Sequence, residues 1–170
     1  DMRGAHPKYT FTDQTGKRRR FTKNAAALFV ERGEHIVVRH CTLTDSGNGF
    51  FVASGDSEEV VSRDILADGN YIYGNGIAGS DRQHNAYTEA VGMVYQCNRF
   101  GPLRPNADGD ALKDRSAGTV IRYNWIEGGA HLLDLVEAEE STEITSADPR
   151  FRRTYVYGNV LLNGPLDGSR

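Results

Sequence analysis

The sequence predicts an all-β fold in which short strands stack as the coils of a parallel β-helix, a solenoid of about five to seven coils. Three observations carry this: a motif that recurs along the chain, strand-like alternation around it, and glycine-bearing corners that follow it. The motif is a small or apolar residue, two spacers, Asn or Cys, one spacer and an apolar residue. Its copies run from Val38 to Leu43, Ala67 to Ile72, Tyr95 to Phe100, Ile121 to Ile126 and Val156 to Leu161. Their fourth positions, Cys41, Asn70, Asn98, Asn124 and Asn159, are 29, 28, 26 and 35 residues apart.

Alternation identifies the elements as strands. Thr119-Val120-Ile121-Arg122-Tyr123-Asn124-Trp125-Ile126 reads as one strand with a period of two, which disfavours a helical solenoid. Ser46-Gly47, Asn75-Gly76, Gly128-Gly129 and Asn163-Gly164 follow the copies and supply corner chemistry. A second series of strands precedes most copies, at 27–31, 49–53, 85–89, 109–113 and 133–137. Two strands per coil are visible, with a third expected near the glycine corner. The repeated Asn then has a mechanical role, because stacked side-chain amides bond to one another and to corner backbone.

Residues 1–170 form one domain by length, with a less regular segment or cap at 1–24 and repeated coils over 25–164. A hydrophobic share of 38% suits a thin, elongated core, and no stretch is apolar enough to span a membrane. Net charge is −3, which gives no sign of nucleic acid, and the basic run Lys17-Arg18-Arg19-Arg20 reads as a solvated loop. Cys41 and Cys97 lie more than one coil apart and are poorly placed for a disulfide. The chain starts at Asp1 without Met, as trimmed proteins do, and its last motif lacks an obvious cap. Further coils, from the rest of the gene product or from a second chain, are therefore expected.

Aligning the earlier strand of each coil stacks Glu31, Ala53, Glu89, Lys113 and Glu137, with steps of 24 residues from Glu89 to Lys113 and from Lys113 to Glu137. Strands in neighbouring coils lie about 4.8 Å apart, so these charges are expected to form an outward acid–base–acid ladder. Phe29, Phe51 and Tyr87 share that face. Aromatic faces beside alternating charge suit a sugar chain, which stacks on rings and is oriented by charged hydrogen bonds. The bland alternative is a solubilising surface ladder of little energetic weight.

The loops add sharper groups. His84 is a candidate general base or sugar hydrogen-bonder. Lys113 and Arg115 point to one face, an arrangement suited to β-elimination on a uronic acid, in which Arg115 neutralises the carboxylate. Lys113 between two glutamates supplies electrostatic support rather than a base. Hydrolysis would instead use Glu89 and Glu137, roughly 9.6 Å apart by strand spacing. Asp110 and Asp134 are expected to point inward as partners, one raising the pKa of the other. Catalytic candidates are thus His84, Tyr87, Glu89, Lys113, Arg115 and Glu137, and substrate-binding candidates are Asn85, Arg104, Asp110 and Asp134. The oxygen-rich run Asn106-Ala107-Asp108-Gly109-Asp110 hints at Ca2+ but lacks EF-hand spacing, and no other metal or cofactor is expected.

With Leu28-Phe29-Val30-Glu31, His84-Asn85-Ala86-Tyr87-Thr88-Glu89, Leu112-Lys113-Asp114-Arg115 and Tyr123-Asn124-Trp125-Ile126-Glu127-Gly128-Gly129 laid out, the chain resembles the right-handed parallel β-helix proteins of the pectate-lyase-like superfamily. Within it, the likeness is to bacterial secreted or surface proteins described as polysaccharide-degrading. That resemblance implies a polysaccharide substrate and a secreted, periplasmic or cell-surface location. The paired calcium-binding Asp pattern of pectate lyases is not recognisable. The expected function is cleavage of an acidic glycan by a lyase or hydrolase. Its competitor is a non-catalytic carbohydrate-binding or structural module of a surface or spike protein.

Overall fold

A computed structural model describes residues 1–164; residues 165–170 of the expected domain lie outside the described residues. The chain begins with β1 (Met2–Arg3) and a hairpin of β2 (Thr10–Thr12) and β3 (Arg18–Arg20). It then makes five circuits of three strands each. They are β4 (Ala26–Glu31), β5 (Val37–Arg39), β6 (Thr42–Thr44); β7 (Asn48–Ala53), β8 (Arg63–Asp68), β9 (Tyr71–Tyr73); and β10 (Ala86–Thr88), β11 (Val91–Gln96), β12 (Arg99–Phe100). The fourth is β13 (Leu112–Asp114), β14 (Val120–Arg122), β15 (Trp125–Glu127), and the fifth β16 (Leu133–Leu135), β17 (Tyr155–Tyr157), β18 (Val160–Leu162). One helix, α1 (Thr142–Ala147), lies between β16 and β17.

Every strand of a circuit pairs in parallel with the strand three places on. This yields sheets in the orders β16-β13-β10-β7-β4, β17-β14-β11-β8-β5 and β1-β6-β9-β12-β15-β18. The all-β class with parallel pairing is therefore as the repeat implies. The resemblance to the pectate-lyase-like right-handed β-helices, and to bacterial polysaccharide-degrading proteins within them, is corrected to a coarser description. What is present is an all-β set of parallel sheets, five and six strands each, lying side by side with one short helix among the described residues. The segments that suggested the resemblance are accounted for by strand packing and corner geometry, which fix a layered architecture without fixing a family.

Each sheet contributes one apolar column to the core: Leu28–Phe50–Ala86–Leu112–Leu133, Val38–Ala67–Tyr95–Ile121–Val156 and Leu43–Ile72–Phe100–Ile126–Leu161. Their middle members are fully buried, whereas Val156 and Leu161 on the last circuit are exposed.

The recurring motif is not one strand but strand, corner, strand. Thr119–Ile126, read as continuous, breaks between β14 and β15 because Tyr123 sits at φ +58°. The residue before every column position is left-handed: His40, Gly69, Cys97, Tyr123 and Gly158 have φ of 53°, 64°, 55°, 58° and 66°. That conformation reverses the side-chain alternation and turns Asn inward. Asn98 shows the result. Its Oδ1 accepts from the backbone N–H and side-chain amide of Asn70, both at 2.9 Å, and its Nδ2 donates to the Ala67 carbonyl and to Asn124 Oδ1. Asn70, Asn124 and Asn159 repeat the pattern, and Cys41 donates its N–H into it. Cys41 and Cys97 are both free thiols. The basic run is an exposed hairpin strand, with Arg19 bonded to Asp13.

Candidate functional site

The outer face of the sheet β4-β7-β10-β13-β16 carries the column Phe29–Phe51–Tyr87–Lys113–Asp134. Phe29 and Phe51 have ring centroids 5.0 Å apart, Phe51 and Tyr87 5.1 Å, and the His84 ring stacks on Tyr87 at 5.6 Å. Beside this stripe opens a cleft of about 510 Å³ lined by Asn24, Asn48, Phe51, Asp81, Arg82, His84, Tyr87, Lys113, Arg115, Glu139 and Glu140. Of the expected catalytic residues it gathers four: His84, Tyr87, Lys113 and Arg115.

The acid–base–acid ladder is not formed. Lys113 lies between Tyr87 and Asp134, so the steps along this sheet are 26 and 21 residues where equal steps of 24 were expected. The corners of successive circuits absorb different loop lengths, and equal spacing in sequence is therefore not equal height in the stack. Glu89 is buried, at 2% exposure, and one oxygen accepts the backbone N–H groups of Glu139, Glu140 and Ser141 at 3.2, 2.9 and 2.7 Å, plus the Ser141 hydroxyl at 2.7 Å. It anchors the strap of residues 137–141 that leads into α1. The Glu137 carboxylate is exposed beside Arg152, and what Glu137 offers the cleft is its carbonyl.

Two of the expected substrate-binding residues have other roles. Asn85 is fully buried, accepting from Asn75 Nδ2 at 3.0 Å and donating to the Gly101 carbonyl at 2.8 Å, so it holds a corner. Arg104 bonds the Gly76 carbonyl and pairs with Asp45, which also receives Lys8 and Tyr9, and so pins the N-terminal segment.

Asp110 lies beneath the cleft between two histidines. Its backbone N–H donates to His84 Nδ1 at 2.8 Å, its Oδ2 is 3.2 Å from the same nitrogen, and its Oδ1 is 2.7 Å from His131 Nδ1. Burial pushes the Asp110 carboxyl up, but hydrogen bonds from His84 and His131 outweigh it and hold the pKa below the ordinary value. This corrects the expected raising of Asp110 by a buried partner: Asp134 is not turned inward with it but stands on the outer face in an ion pair with Lys113. The nearer partner of His84 Nδ1 is a donor, which assigns the neutral ring's proton to Nε2; a proton on Nδ1, given to Oδ2, would free Nε2 as a base.

Arg115 is held on three sides. Nε donates to the Tyr87 hydroxyl at 3.0 Å, Nη1 to the Glu137 carbonyl at 2.7 Å, and Nη2 is 3.1 Å from Glu139 Oε2. Burial raises the Tyr87 pKa, with Arg115 opposing and Glu139 adding to the shift, so the phenol carries its proton.

Asp110, His131 and Asp134 place one ligand atom each within 4.8 Å of one another, the one such group among the described residues. It draws a single residue, Asp110, from the run expected to bind Ca2+. Two carboxylates and an imidazole fall short of the six to eight oxygens calcium takes, and the Lys113 ammonium already neutralises Asp134. The group does not fit calcium.

His131, Glu139, Glu140, Arg82 and Asn24 enter the site without having been singled out in the sequence. The one signal for the strap is the long 35-residue step from Asn124 to Asn159, which marks an insertion.

Comparison with protein-family models, with curated proteins and with solved structures finds no match. The site is therefore read from its own chemistry.

Proposed function

We propose that the cleft binds an acidic polysaccharide and cleaves it by β-elimination at a uronic acid. The observation that carries this reading is the Tyr87 phenol held against Arg115, stacked on His84 and flanked by Lys113, at the end of an aromatic stripe. Sugar rings would lie on Phe29 and Phe51, with a uronate carboxylate at Arg115. In the reaction a base removes the proton beside the carboxylate, the C–O bond to the neighbouring sugar breaks, and the departing oxygen takes a proton. For His84 Nε2 to act as the base, its ring proton must first shift to Nδ1, where Asp110 Oδ2, 3.2 Å away, would accept it. Tyr87, protonated by burial, suits the acid. Arg115 and Lys113 would stabilise the negative charge that grows on the carboxylate side.

Elimination is favoured over hydrolysis because Glu89, one member of the only carboxylate pair expected to hydrolyse, spends its oxygen on the strap. A non-catalytic glycan-binding or structural module is the second reading, favoured by the internal pairing of Lys113 with Asp134 and Arg115 with Glu139. A polymeric substrate accords with a secreted, periplasmic or cell-surface location. No described helix is long and apolar enough to cross a membrane.

Incubation with a panel of uronic-acid and neutral polysaccharides tests the proposal. Ultraviolet absorbance from an unsaturated uronate supports it. New reducing ends without that absorbance indicate hydrolysis, and binding without turnover indicates the second reading.

A further inference from the structure

Arg115 already holds a carboxylate. Glu139 Oε2 sits 3.1 Å from its Nη2 and 3.4 Å from the Tyr87 hydroxyl, the two groups a uronate would address. The remaining edges of the guanidinium are committed, Nε to Tyr87 and Nη1 to the Glu137 carbonyl, so the Nη2 edge is the part left for an anion. An incoming carboxylate and Glu139 therefore compete for one position.

The strap is built so that the side chain can leave while the backbone stays. The Glu139 side chain is 58% exposed, but the N–H groups of residues 139–141 are fixed on the buried Glu89 carboxylate. Asp56 holds those of Glu143 and Ile144, at 3.1 and 2.9 Å. Rotating Glu139 into solvent breaks the ion pair with Arg115 and the long hydrogen bond from Tyr87 but leaves the cleft wall in place.

Resting on the reading of the cleft as an acidic-glycan site, we propose that Glu139 is an internal competitor in the binding site: it occupies the sugar-carboxylate position and is displaced by a ligand bearing a carboxylate of its own. A neutral sugar offers Arg115 no replacement for that charge and binds with Glu139 left in place. A uronate replaces Glu139 like for like, and the freed glutamate moves into water. Affinity for acidic sugars is thereby held below what Arg115 alone would give, while neutral sugars are unaffected.

Calorimetric titration with trimers of galacturonic and of mannuronic acid, and with their neutral methyl esters, tests this on the wild-type chain, Glu139→Ala and Glu139→Gln. Both variants are expected to bind at least one acid trimer about fivefold or more tightly than wild type, as removal of one competing charged contact implies. KM for the acidic polymer should fall in parallel, while the methyl esters bind as before. A purely structural effect would move esters and acids alike and lower the melting temperature. Wild type that binds an acid trimer, with both variants binding it equally or more weakly, overturns the role of Glu139 alone. Absence of acid-trimer binding by all three proteins overturns the reading of the cleft, and this inference with it.

Discussion

Glu89 Oε1 lies 2.7 Å from both the backbone nitrogen and the hydroxyl of Ser141, joining the end of β10 to the strap fifty-two residues later. One carboxylate oxygen thus organises the wall of a cleft in which its own residue takes no part.

Glu89→Ala should therefore destabilise the chain by about 2–4 kcal/mol, since three N–H groups, that of Ser141 buried, lose a charged acceptor at once. Urea unfolding measures the loss. Hydrogen exchange should show residues 139–141 opening before the sheets do, and an unchanged exchange pattern would refute the anchoring role.

Arg115→Ala is expected to lower kcat/KM on uronic-acid polymers by about 100-fold or more while secondary structure is retained. Arg115→Lys should recover little, because an ammonium cannot meet Tyr87, the Glu137 carbonyl and a carboxylate together. Retained turnover in either variant removes Arg115 from the mechanism.

Asn124→Leu strips two accepted and two donated hydrogen bonds from a buried corner and should cost about 2–4 kcal/mol. A melting temperature equal to that of wild type would show the amide column to be dispensable.

Gly109→Ala would place its Cβ 1.9 Å from the Gln83 carbonyl oxygen and 3.3 Å from His84 Nδ1. The loop must shift, and the His84–Asp110 contact shifts with it. Reduced activity with a lowered melting temperature is expected, and a fully active, equally stable variant would contradict the tight approach.

The two buried aspartates predict opposite pH responses. Burial raises the Asp114 pKa despite hydrogen bonds from Thr119, Thr88 and Ser116. Its contribution to stability is complete below the ordinary carboxylate value of 3.8 and is lost as pH rises through its folded value. The Asp110 pKa is lowered, so its contribution is present above 3.8 and is lost as pH falls through its folded value. Stability measured between about pH 3 and 7 should lose the alkaline-side decline in Asp114→Asn and the acid-side decline in Asp110→Asn. The same profile in both variants as in wild type would be inconsistent with these environments.

Much of the fold is legible in the spacing of Asn70, Asn98, Asn124 and Asn159, because each sits at a two-residue corner with no room for insertions. The same corners hide the strand breaks, since a left-handed Tyr123 or Cys97 has the composition of strand interior. The site was half legible. Tyr87, Lys113 and Arg115 reach the cleft by strand parity alone, whereas the height of Glu89 relative to Lys113 depends on loops of unequal length that no local pattern encodes. Glu139 and His131 come from the segment after β15, where the regular spacing lapses and a side chain's neighbours are set by tertiary folding.

The amide column has a direction. From Asn70 to Asn159 every carbonyl oxygen receives from the preceding circuit and every amide nitrogen donates back to that circuit's backbone, so the dipoles align head to tail and polarise one another. Such a wire is strongest at its centre and weakest where a member lacks a neighbour. Replacing a central member such as Asn98 should accordingly weaken the circuits on both sides of it, not its own alone.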